Sequence, residues 1–126
     1  MKEEQIALAR RAVACKGWRW MDGMKANNDP DYGSVVSSCW SSSTSIRMPD
    51  WRMDDVMSGR WLPDLADPAT LGCLLALVRE AWGEPTMSAH FYDAEEWWEV
   101  LGYRRAPGKP ADTEAEALVA VLEAAP

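Results

Sequence analysis

The stretch from Asp67 to Gly83 constrains this chain more than any other, because both of its ends are marked for one helix. Asp67 can accept from the orphan amides of a first turn, and Pro68 stands at the first helical position, where a missing N–H costs nothing. Gly83 can close the C-terminus in a left-handed conformation. Between them Leu71, Leu74, Leu75, Val78 and Trp82 recur at helical spacing, and Cys73, Ala76, Leu77 and Ala81 widen the stripe. Only Arg79 and Glu80 are charged. A helix apolar on nearly every side is stable when other elements cover it. The central helix over 67–83 is therefore expected to be buried, with the rest of the chain packed around it.

The flanking sequence supplies that cover. Lys2–Lys16 predicts a first helix with Ile6, Leu8, Ala9, Ala12 and Val13 on its buried side, ended by Gly17. Trp18–Met21 reads as a strand, Asp22-Gly23 as a turn, and Met24–Ala26 as a resumed strand. Residues 27–66 read as an irregular Ser-, Asp- and Trp-rich insertion, with a strand expected over 34–40 and a short returning strand over 46–48. Thr86–Tyr92 and Trp97–Tyr103 predict a second hairpin around Asp93-Ala94-Glu95-Glu96. Thr113 to Glu116 has the spacing of a capping box, opening a last helix that buries Ala115, Leu118, Val119 and Leu122. The order is α-ββ-α-ββ-α. It predicts an α+β fold in one domain over 1–126, with an antiparallel sheet of about four strands in two hairpins under three helices.

Charge narrows the functional classes. The net charge of −7 is uneven: residues 1–61 hold 9 Lys/Arg against 8 Asp/Glu, and residues 62–126 hold 4 against 12. So acidic a second half argues against general nucleic-acid binding, which depends on neutralising phosphates. It suits a basic protein partner. Cys15, Cys39 and Cys73 are odd in number and widely spaced, which predicts free thiols in a reducing compartment rather than a disulfide framework or zinc site. No apolar run approaches the ~20 residues of a membrane span, and the Glu-bearing first helix does not read as a signal peptide.

Catalytic chemistry finds no constellation. His90 is the only histidine, and alternation puts it on the strand face opposite Met87, Ala89 and Phe91, towards solvent. Its spacing to Asp93 lacks a third metal ligand. The adjacent pairs Asp54-Asp55 and Glu95-Glu96 point to different sides and make no acid–base dyad. Neither a nucleophile elbow nor a phosphate loop is present. No enzyme, metal or cofactor is expected.

Two binding patterns stand out instead. Arg19 lies between Trp18 and Trp20, Trp51 abuts Arg52, and Arg60 abuts Trp61. Aromatic faces stack bases and Arg forks grip phosphates, so Trp18, Trp20, Trp51, Arg52, Arg60 and Trp61 are candidate ligand- or partner-binding residues. The bland alternative is core Trp with Arg stems lying over exposed rings. The second pattern is an acidic face of Asp93, Glu95, Glu96 and Glu99 on the second hairpin, able to steer a basic partner.

Gly17-Trp18-Arg19-Trp20 after a first helix, a central helix, a Trp-bearing hairpin and a closing Ala/Leu helix resemble the phage α-β-α sandwich domain. The runs Asp67–Gly83 and Thr113–Val119 resemble segments of uncharacterised phage proteins. That resemblance implies a phage accessory protein working in the host bacterial cytoplasm, and it carries no active-site residues. The first expectation is a non-enzymatic inhibitor that binds a host defence protein. The alternatives are a sponge for a nucleotide immune signal, and a virion or host-takeover component. Self-association into a homo-oligomer stays open, and no membrane partner is expected.

Overall fold

The computed structural model describes residues 2–28, 32–37, 45–47, 61–103 and 108–126, with the strand segments inside 27–61 described by backbone alone. These residues form helix α1 (Glu3–Val13), strands β1 (Lys25–Asn28), β2 (Tyr32–Ser37), β3 (Ser45–Arg47) and β4 (Trp61–Pro63), and helix α2 (Pro68–Trp82). Strands β5 (Ser88–Tyr92) and β6 (Trp97–Leu101) and helix α3 (Glu114–Glu123) follow. The class is α+β, as the pattern of periodicities implies.

The strands divide between two sheets instead of joining one. The first has the order β3-β2-β1-β4 and the second is the β5–β6 hairpin. Within the first sheet β1 runs antiparallel to both β2 and β4. β3 runs parallel to β2, so it is not the returning arm of a hairpin. The expected strand over Trp18–Met21 is absent. There the Trp18 amide donates to Cys15 O and the Met24 amide to Met21 O, so this backbone is spent in local turns. Gly23, at φ +96°, supplies the left-handed residue of the second turn, and the sheet starts only at Lys25. Among the described residues of 27–66 lie the end of β1 and all of β2, β3 and β4.

Helix α2 has the expected ends. Asp67 Oδ2 accepts from the Thr70 amide at 3.0 Å, and Gly83 turns left-handed at φ 63°. Its deepest line is Thr70, Leu74, Leu77 and Val78, while Leu71, Leu75 and Trp82 are half-buried. The helix is thus rotated from the face that hydropathy selects. Thr70 sits at the core because its hydroxyl is fully used, accepting from the Lys25 amide at 2.8 Å and donating to Asp67 Oδ2 at 2.9 Å. One side chain therefore joins the start of β1 to the start of α2.

Helix α3 closes the core with Ala115, Ala117, Leu118, Val119, Val121 and Leu122 buried. Its Thr113 cap accepts from the Glu116 amide at 3.1 Å. The Trp82 indole donates to Val121 O at 2.9 Å, satisfying a carbonyl in a last turn that has no partner of its own. Helix α1 packs Ala9 and Ala12 inward beside α3 and β4, and Arg11 forks onto Glu123 at 2.6 and 3.3 Å. Each fully buried Leu or Val here contributes about 1.5–3 kcal/mol relative to leaving it in water. The second sheet lies on α3 through Met87 and Val100, both fully buried. Among the described residues no helix is long and apolar enough to cross a membrane.

Candidate functional site

The β5–β6 hairpin gathers the polar and aromatic chemistry of the second half. Its register pairs Ser88 with Leu101, Ala89 with Val100, His90 with Glu99, Phe91 with Trp98 and Tyr92 with Trp97. Opposed residues share a face, so Ala89, Phe91, Trp98 and Val100 lie on one side. Ser88, His90, Tyr92, Trp97, Glu99 and Leu101 lie on the other. The body covers only the proximal part of the first face: Val100 is buried, whereas Phe91 keeps 47% of its surface in water. Phe91 leans on Trp98 with ring centroids 5.2 Å apart, and Tyr92 meets Trp97 edge-on at 6.5 Å. Two aromatic pairs therefore brace the distal end of the hairpin.

The acidic residues cap those pairs. Asp93, Glu95 and Glu96 are exposed in the turn, and Glu99 is half-buried on β6. The turn closes with the Glu96 amide donating to Tyr92 O at 2.8 Å, and Glu96 itself takes φ +56°. Such a left-handed residue often completes a hairpin loop built on a type I turn. Its backbone therefore aims three carboxylates outward from one tip, beside an exposed phenyl ring.

On the opposite face Ser88 Oγ and His90 Nε2 are 2.8 Å apart. A nucleophilic serine also needs a third group orienting the imidazole and amide donors for an oxyanion. Glu99 stands across from His90 in register, with no hydrogen bond to it among the described residues. Cys15 and Cys73 are half-buried and donate to Arg11 O and Asp22 O. Burial pushes both thiols above the ordinary cysteine range, which keeps them protonated and poor nucleophiles.

The Trp/Arg candidates separate. Trp18 and Trp20 are half-buried and packed against the core, edge to face with centroids 5.6 Å apart at 81°. Crossed rings at that distance form no two-sided base clamp. Their indole N–H groups are buried without an acceptor among the described residues. Arg19 pairs with Glu80 at 2.5 Å. Trp51, Arg52 and Arg60, and the side chain of Trp61, lie outside the described residues. Reading the sequence missed the exposed Phe91 and the half-buried Tyr92, Trp97 and Trp98 that brace it. The Trp97-Trp98 pair beside Glu95-Glu96 was the available signal, since adjacent strand residues cannot both face one core.

Comparison of the chain with protein-family models, with curated proteins and with solved structures found no match.

Proposed function

We propose that this chain is a non-catalytic protein-binding domain that engages a basic partner through the tip of the β5–β6 hairpin. The observation that carries this reading is Phe91, a large apolar ring left 47% exposed beside the carboxylates of Asp93, Glu95 and Glu96. Aromatic anchors rimmed by charge are the composition of interface hot spots, and the charges raise the encounter rate. The phage resemblance points to a host defence protein in the bacterial cytoplasm as the partner. The test uses the protein recovered from infected-host lysate on the immobilised chain. Reversing Asp93, Glu95 and Glu96 to Lys is expected to slow its association by about tenfold or more and to flatten its salt dependence. Phe91→Ala is expected to speed dissociation instead. Association and dissociation rates unchanged by both variants reject the hairpin as the binding surface.

A further inference from the structure

The backbone of β6 fixes which groups β5 leaves open. The Trp98 amide donates to Ala111 O at 2.8 Å, and Trp98 O accepts from the Ala111 amide at 2.9 Å. Both backbone groups of Trp98 thus point away from β5. Its antiparallel partner Phe91 is therefore in a non-hydrogen-bonded pair, and the amide and carbonyl of Phe91 point away from β6. The same follows for Ala89, opposite Val100. The rungs of the hairpin fall to Ser88, His90 and Tyr92, and the outer edge of β5 presents the N–H and C=O of Ala89 and Phe91.

Among the described residues that edge is open at one end only. At Met87 it is closed, because Arg79 Nε donates to Met87 O at 2.7 Å and the Met87 amide bonds Glu84 O. The outer edge of β6 is covered by the segment at Gly108 and Ala111. Ser88–Tyr92 carries no Lys and no Pro, the usual guards of a bare edge. His90 and Phe91 are both exposed although they face opposite sides, while Ala89 and Trp98 rest against the core.

We propose that β5 accepts an extended segment of a protein partner as an added strand, with Lys or Arg at alternate positions of that segment. This rests on the protein-binding reading of the hairpin and specifies its mode. An added strand bonds through its backbone to Ala89 and Phe91. Its apolar side chains share the face of Phe91. Its cationic ones share the face of His90 and Glu99 and run on to Asp93, Glu95 and Glu96. A second copy of this chain would bring a further net charge of −7 to the same edge, whereas a cationic segment is drawn to it.

The test is amide hydrogen exchange of the whole protein with a peptide of alternating Lys and Val, about eight residues long. The control is the same peptide N-methylated at alternate residues. Exchange at the Ala89 and Phe91 amides is expected to be fast in the free protein and at least about tenfold slower with the peptide. The N-methylated peptide is expected to have no effect. Ala89→Pro removes an outward donor without touching a rung, and is expected to lose peptide protection at Phe91 while the melting temperature is kept. Peptide binding that the Lys reversals abolish, with the Ala89 and Phe91 amides still fast, overturns strand addition and leaves the protein-binding reading standing. Absence of peptide binding also overturns strand addition, and the hairpin reading is then judged by the association rates above. Slowing that grows with protein concentration and needs no peptide overturns it in favour of self-pairing.

Discussion

Thr70 shows how much one hydroxyl can organise. It is wholly buried, yet it accepts from β1 and donates to the cap of α2. Thr70→Val keeps the shape and strands the Lys25 amide, so denaturant titration is expected to report a loss of about 1–3 kcal/mol. Thr70→Ser is expected to retain most of the stability. Hydropathy ranks Leu71 and Leu75 above this threonine, so periodicity alone places the buried line of α2 part of a turn away from where it lies. A burial driven by hydrogen bonds to a distant strand leaves no trace in local periodicity. Glu96 is the opposite case, a surface residue at φ +56° where a side chain brings only strain. Glu96→Gly is expected to raise stability by about 1 kcal/mol, and Glu96→Ala to leave it unimproved.

At the scale of elements, what the sequence declares is what is encoded nearby. Asp67, Pro68 and Gly83 fix α2, and Thr113 fixes α3, because a cap and the amides it satisfies lie within one turn. The β5–β6 hairpin is legible for the same reason. Trp18–Met21 has the alternation of a strand, but a strand exists only with a partner along its edge, and no local pattern names that partner. The division into two sheets is hidden likewise, since turns specify neighbours and not which edges meet. The site was half legible: its carboxylates show as composition, while the exposure of Phe91 depends on no other element covering it. One close approach holds the second sheet in shape. A Cβ on Gly108 would lie 2.5 Å from Val100 O and 2.8 Å from Val100 N. These are backbone atoms of a paired strand that cannot step aside, so Gly108→Ala is expected to cost about 1–3 kcal/mol. Thermal melts and faster exchange of the Trp98 and Ala111 amides would report it.

Over the whole molecule, the helices are joined mainly by apolar burial, with ion pairs at the surface. Arg11 and Glu123 bridge α1 and α3 but are 45% and 40% exposed, which leaves their attraction screened. The Glu123 hydrogen bond holds the Arg11 guanidinium above its ordinary range. A double-mutant cycle of Arg11→Ala and Glu123→Ala is expected to give a coupling of about 0.2–1 kcal/mol that shrinks in high salt.

The position of α1 against α3 and β4 also bears on how the chain matures. Arg11 and Glu123 are separated by 112 positions. Ala9 and Ala12 are thus made early and acquire their cover late. With roughly 5–20 residues added per second on a ribosome, the apolar stripe of α1 waits several seconds for a surface to settle on. A nascent chain halted before Thr113 would have β4 but no α3 to lay against that stripe, leaving its α3 side open to a chaperone or to a neighbouring polypeptide on the same messenger.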